Sequence, residues 1–176
     1  MTTTTARRAS RSPPALLLVL FALAASFTRT PRTLLFPSLR NRYYESSKNF
    51  LVYSGNGLKS DFGGHDNVHH DNVYAFVGQG FGICQQLKGH PDKFYSNHVI
   101  QNGDGNYGNG QACKTDGSED ATVVHDNTIY TPSGKVTECG MALADWQAQG
   151  GDPGTTAAVT PADSVIIGLA RAALGM

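Results

Sequence analysis

The chain has 176 residues, 40% of them apolar and 16% charged, and its 14 basic and 14 acidic side chains cancel to a formal net charge of zero. That zero averages two unlike parts: residues 1–44 carry seven arginines and no acid, and the remainder carries seven basic against fourteen acidic residues, a balance of −7. The length suffices for one domain with a core, and an acidic body without clustered Lys and Arg sets nucleic acid aside as a partner.

Arg7, Arg8 and Arg11 precede the apolar run Ala15–Ala25, which ends on the small residue Ser26. A basic n-region, an apolar h-region and a small-residue junction are the parts of a secretory signal peptide, assigned here to residues 1–26. A spanning helix needs about 20 apolar residues, so no stable membrane span is expected, an uncleaved anchor being the lesser alternative. Residues 27–47, rich in Arg, Ser and Thr, read as a basic disordered spacer or a transit segment. Phe27 directly after the junction, followed by such a tail, resembles the bipartite plastid presequences of algae with secondary plastids. The expected location is therefore the secretory pathway or the exterior, with a plastid as the alternative.

From Lys48 to about Val136 short apolar segments alternate with Gly, Asn and Asp clusters. The expected strands are Asn49–Tyr53, Val73–Val77, Phe81–Leu87, Phe94–Gln101, Gln111–Lys114, Thr122–Tyr130 and Lys135–Glu138. Breakers fall at 54–57, 62–64, 78–80, 103–110 and 131–134. Three segments share a unit, His69-His70-Asp71-Asn72-Val73-Tyr74, Phe94-Tyr95-Ser96-Asn97-His98-Val99 and Val124-His125-Asp126-Asn127-Thr128-Ile129. Their asparagines stand 25 and 30 residues apart, and Asn49 precedes Asn72 by 23. Cys84, Cys113 and Cys139 follow their asparagines by 12, 16 and 12 residues, in phase with the unit. Three is an odd count and Cys-x-x-Cys is absent, so the cysteines are expected to stack as small buried residues, with one bridge or a metal thiolate as alternatives.

A period of 23–30 residues built of short strands, with no helix-length amphipathic pattern between them, points to a solenoid. Leucine-rich repeats need regularly spaced Leu, and propeller blades need about 40 residues. The recurring Asn-x-[Val/Ile] unit resembles the right-handed parallel β-helix repeat of the pectate-lyase-like superfamily over residues 48–140. The resemblance implies an all-β, right-handed parallel β-helix of about four turns, in which Asn72, Asn97 and Asn127 form an inward ladder at the bends. Residues 141–176 are expected to form a C-terminal cap, with Trp146 packed over the last turn. A helix over 161–174 should follow, with Thr160 as N-cap, Pro161 at its first position and Asp163 near its positive end. That helix should cover the open end of the solenoid. About four turns is few for this architecture and no N-terminal cap is recognisable between Phe27 and Ser47, so a C-terminal fragment of a longer solenoid is expected, with a partner covering that end as the alternative.

The densest polar cluster is Asp61–Asp71. In an extended strand His65, His69 and Asp71 would share one side, and Asp66 and His70 the other. Two imidazoles and a carboxylate on one face suit acid–base work or a divalent metal. His90 and Lys93 lie on the next turn and would line the same groove. The candidate catalytic residues are therefore His65, His69, Asp71, His90 and Lys93. The sequence names no cofactor; Asp104, Asn106 and Asn109 in the glycine-rich stretch 103–110 offer oxygens to Ca²⁺ but lack the acidic spacing of a Ca²⁺ loop.

The resemblance implies a polysaccharide or glycan partner and lyase, hydrolase or epimerase chemistry. In pectate-lyase-type members an Arg commonly serves as base, whereas residues 45–170 here contain none, leaving His69, His90, Lys93 or Tyr95. No carboxylate pair is marked out for hydrolysis among Asp61, Asp66, Asp71 and Asp92. Two readings follow: a carbohydrate-active β-helix enzyme, or a non-catalytic β-helix module that binds glycans at a cell surface or matrix.

Overall fold

The computed structural model describes residues 42–60, 64–84, 87–114 and 122–176, all within one compact unit, Leu34–Met176. The expected signal peptide (1–26), most of the basic spacer and Asp61 lie outside the described residues. Strands of two to five residues wind into about four turns. The first holds β1 (Glu45–Ser47), β2 (Phe50–Val52) and β3 (Asn56–Ser60), and the second β4 (Val68–His70), β5 (Val73–Val77) and β6 (Gln79–Ile83). The third holds β7 (Lys93–Tyr95), β8 (His98–Gln101), β9 (Gly105–Asn106) and β10 (Gly108–Gly110), and the fourth β11 (Val123–His125), β12 (Thr128–Thr131) and β13 (Val136–Glu138). Then come β14 (Met141–Ala142), α1 (Leu143–Ala148), β15 (Thr156–Val159) and α2 (Asp163–Leu174).

Equivalent strands stack into sheets in the orders β1-β4-β7-β11, β2-β5-β8-β12-β15, β3-β6-β10 and β9-β13-β14. Every pairing is parallel except β13 with β14. The expected parallel β-helix is the fold.

Two expected strands, 94–101 and 122–130, are each two strands joined by a bend. Lys48, Asp71, Ser96 and Asp126, the residues just before the ladder asparagines, have φ of 57°, 53°, 53° and 55°. The left-handed region disfavours side chains with a Cβ, and Asp is among the residues that tolerate it best. Neither glycine nor proline marks these corners, which is why alternation alone runs through them.

The Asn ladder compensates the corners. In each step the next asparagine's Oδ1 accepts from both the backbone N and the Nδ2 of the one before: Asn49 to Asn72 at 3.1 and 2.9 Å, Asn72 to Asn97 at 3.0 and 3.1 Å, Asn97 to Asn127 at 2.9 and 3.1 Å. Asn72, Asn97 and Asn127 also donate through Nδ2 to Ser46, His69 and Phe94 carbonyls, one turn back. Thr155 Oγ1 ends the series by accepting from the Asn127 backbone N at 2.9 Å. A second ladder runs beside it, with Tyr44 N donating to Asn67 Oδ1 at 3.2 Å and Asn67 N to the buried Asp92 Oδ1 at 2.8 Å. The backbone N–H groups of Asn67, Asn72, Asn97 and Asn127 thus each have a side-chain partner.

Inside the turns Tyr74, Phe81, Phe94, Val99, Tyr107 and Ile129 form one core. Phe81 meets Tyr107 edge-on at 5.0 Å. This fit requires Gly80 and Gly108, because a Cβ on either would enter the Tyr107 or Phe81 ring. The stretch 103–110, expected as a loop, is therefore largely strand, with β9 and β10 flanking the buried Tyr107.

The C-terminal part differs from expectation in two ways. Trp146 is buried, as expected, and with Leu143 it belongs to α1, which closes the fourth turn. By contrast, α2 packs on the outer face of the five-stranded sheet, where Ile166 meets Val73, Ala75 and Ile100, rather than over the end. These strand residues are apolar on both faces of β5 and β8, so the outer face also needs cover. The helix starts two residues later than expected, with Ala162 at the N-cap and no side-chain cap, because Thr160 N is engaged with Thr131 O at 2.8 Å.

Cys113 and Cys139 form a disulfide, with Cα atoms 5.3 Å apart, so the expected stack of reduced cysteines does not occur there. Their matching position in consecutive turns is what brings them within bonding range. At the other end β1, β2 and β3 are edge strands, and Phe50, Leu51 and Val52 are exposed among the described residues. No helix of the described residues is long and apolar enough to cross a membrane.

Candidate functional site

The pleat of the four-stranded sheet sorts its side chains. His69, Phe94 and Val124 face the core, and His70, Tyr95 and His125 form a row on the outside in register. Their rings stack flat, with centroids 5.1 Å apart at 4° for His70–Tyr95 and 4.8 Å apart at 2° for Tyr95–His125. A second outer row, Glu45, Val68, Lys93 and Val123, runs beside the rings.

Three His-Asp-Asn triplets, at 65–67, 70–72 and 125–127, build one local unit. In each the histidine Nδ1 donates to the Oδ2 of the following Asp, at 2.8, 2.7 and 2.7 Å. Those aspartates have φ of 55°, 53° and 55°. The left-handed turn folds the carboxylate back onto the ring, fixes the tautomer and leaves Nε2 for other partners. At His70, Nε2 donates to Glu45 Oε1 at 3.0 Å. The Glu45 hydrogen bond, reinforced by Asp71, raises the His70 pKa above the usual imidazole value despite partial burial.

His65 and His90 converge on one carboxylate. Asp66 Oδ2 accepts from His65 Nδ1 at 2.8 Å and from His90 Nδ1 at 2.7 Å, and the two rings lie 5.1 Å apart. His65 is buried under the edge of Tyr43. The hydrogen bond from His65, helped by His90, lowers the Asp66 pKa below the usual carboxylate value against a smaller desolvation effect. Among the described residues, His65, Asp66 and His90 are the group whose ligand-type atoms lie within 4.8 Å of one another.

The five candidates from the sequence therefore separate. His65 and His90 meet through Asp66, which an extended strand would place on the opposite side. Asp71 serves His70, and Lys93 is exposed on the second outer row. His69 points into the core, where burial lowers its pKa and its Nδ1 has no hydrogen-bond partner. The expected common side for His65, His69 and Asp71 fails because Asp66 and Asp71 are left-handed, which breaks the two-residue alternation. Asp66, His70 and His125 were missed as a set; the recurring His-Asp-Asn triplet is the signal that marks them. The three Ca²⁺ candidates do not converge: Asp104 Oδ1 accepts from Ser133 N at 2.9 Å, and Asn106 and Asn109 sit in β9 and β10.

A cavity of about 500 Å³ lies at the end of the ring row, between β11 and the turn 149–154. His125, Asp126 and Asp152 line it, and Asp152 is paired with the fully buried Glu138. Burial raises Glu138 to about 9, and burial also raises Asp152. A proton on Glu138 relieves its repulsion with Asp152, whose Oδ1 accepts from Thr155 Oγ1. Glu138 lies in the core, whereas the His70–Asp71 and His125–Asp126 couples face outward. Their chemistry is that of oriented imidazoles, able to exchange hydrogen bonds or protons with a ligand along the row.

No protein family, no curated protein and no solved structure matches the chain.

Proposed function

We propose that this β-solenoid is a glycan-binding module that holds an extended, hydroxyl-rich polysaccharide along the outer face of β1, β4, β7 and β11. The observation that carries the reading is the row His70, Tyr95 and His125, one ring per turn, flat against one another. Stacked rings cover each other's faces and leave their polar edges outward, so the row offers hydrogen-bonding groups at a repeat of about 4.8 Å, the strand spacing of a sheet. The carboxylates bound to His70 and His125 fix those edges before a ligand arrives, which lowers the ordering cost of binding. Glu45, Asp66, Asp71 and Asp126 outnumber Lys48 and Lys93 along this face, which favours a neutral polymer over a polyuronate. The Cys113–Cys139 disulfide supports a secretory or extracellular location for such a module.

A pectate-lyase-like enzyme is the second reading, favoured by the Asp-oriented imidazoles, of which His125 borders the cavity. Affinity electrophoresis against neutral glucans, mannans, xylans and galactans, and against uronans, tests the first. Retardation by a neutral polymer that disappears in Tyr95→Ala and His125→Ala is expected. No retardation in any gel, or retardation indifferent to both substitutions, overturns it. New reducing or unsaturated ends in the same incubations would instead establish the enzyme.

A further inference from the structure

We infer that His65, Asp66 and His90 form a binding site for a divalent first-row transition metal, independent of any glycan on the ring row. The inference begins from a difference between the three His-Asp-Asn triplets. At 70–72 and at 125–127 one imidazole is sufficient to engage the Asp. At 65–67 the following turn delivers a second imidazole, His90, onto the same Asp66 Oδ2. The corner does not need it, since the other two corners form the same left-handed bend without one.

The donor set is chemically selective. Two imidazoles and one carboxylate suit Zn²⁺, Co²⁺, Ni²⁺ or Cu²⁺, whereas Ca²⁺ and Mg²⁺ demand oxygen shells. The geometry is near what such an ion requires. Bonds of 2.0–2.2 Å to His and carboxylate set ligand atoms about 3.3 Å apart in a tetrahedral shell. The two N···O separations are 2.8 and 2.7 Å, and all three ligand atoms lie within 4.8 Å of one another. Opening the pair by about half an ångström admits the ion, in line with those bond lengths.

Rigidity and access are divided between the partners. The His65 side chain is 9% exposed and held by the Tyr43 ring edge, and Asp66 is fixed by its backbone N–H to His90 O at 3.4 Å. The His90 side chain is 43% exposed on the turn that follows Leu87, so it can adjust and the ion can enter. Three protein ligands leave a position for water at that open side. The ion would bind the 87–90 turn to the preceding turn of the solenoid.

Calorimetric titration of the chelator-treated full-length chain with ZnCl₂ tests this, in a Cys84→Ser background that removes the thiol outside the disulfide. One saturable site per chain, with micromolar or tighter affinity and a rise in Tm, is expected. His90→Ala and Asp66→Asn should each weaken binding at least tenfold, and His125→Ala should leave it unchanged. Replacing Zn²⁺ with Co²⁺ should give a visible absorption band that His90→Ala abolishes. His90 is half-exposed and its removal leaves the His65–Asp66 couple intact, so this variant should keep the wild-type far-ultraviolet circular dichroism. The absence of saturable binding, or binding that keeps full affinity in folded His90→Ala, overturns the site.

Discussion

Replacing Asn97 with Ala removes the middle of the ladder. Asn97 Oδ1 accepts from Asn72 N at 3.0 Å and from Asn72 Nδ2 at 3.1 Å, and its Nδ2 donates to His69 O at 3.0 Å and Asn127 Oδ1 at 3.1 Å. The Asn72 side chain keeps the Ser46 carbonyl and Asn127 Oδ1 keeps the Asn97 backbone N, so the orphan is the buried Asn72 N–H. An unsatisfied buried donor costs about 1–3 kcal/mol, and each of the three further lost bonds about 1 kcal/mol net, so a loss of about 4–6 kcal/mol is expected. That is a large share of a typical folding free energy of about 5–15 kcal/mol. Asn49→Ala provides the contrast: Asn49 is exposed at the ladder's end and only donates to its neighbours, so its loss should cost less than about 1 kcal/mol. Asn97→Asp should cost at least as much as the Ala change at neutral pH, because it sets a carboxylate against Asn127 Oδ1, and should recover in acid. Urea denaturation of the three variants provides the comparison. A loss at Asn97 no larger than at Asn49 would refute the ladder as the source of the bends' stability.

Three further outcomes are expected. Reducing the Cys113–Cys139 bridge, which closes a sequence separation of 26, should lower stability by about 3.5 kcal/mol on the chain-entropy account; an unchanged urea midpoint under reductant contradicts it. Glu138, raised from its ordinary 4.5 to about 9, holds a proton in the folded state that the unfolded chain releases, so it makes stability fall as pH rises between about 5 and 9. Glu138→Gln should remove up to about 1.4 kcal/mol per pH unit of that slope, and parallel slopes for the two proteins across the window refute the assignment. Gly108→Ala should drive a Cβ into the Phe81 ring and cost about 1–3 kcal/mol as overpacking, measured as a shifted thermal midpoint.

The fold was legible because the ladder asparagine has a chemical reason to recur at every corner, and Asn49, Asn72, Asn97 and Asn127 stand in the register their spacing implies. The left-handed corners were hidden because Asp71, Ser96 and Asp126 occupy positions where glycine would have announced a turn. The strands β3, β9 and β10 were masked by the opposite effect: Gly57, Gly105, Gly108 and Gly110 look like breakers, yet glycine at 80 and 108 makes room for aromatic rings. Within the site, the partnership of His65 and His90 crosses two turns and depends on the corner at Asp66. Strand periodicity carries no information about such a corner and puts the carboxylate that joins them on the side opposite His65.

The glycan-binding face is tested most directly by titrating the wild-type chain and Tyr95→Ala with whichever neutral polysaccharide retards the protein. Tyr95 is the central ring of the row, stacked on His70 and His125 at once. The account predicts binding at least tenfold weaker in Tyr95→Ala and unchanged in Lys135→Ala, an exposed position on another side of the solenoid. Equal affinity for wild type and Tyr95→Ala, or an equal loss in Lys135→Ala, would contradict it.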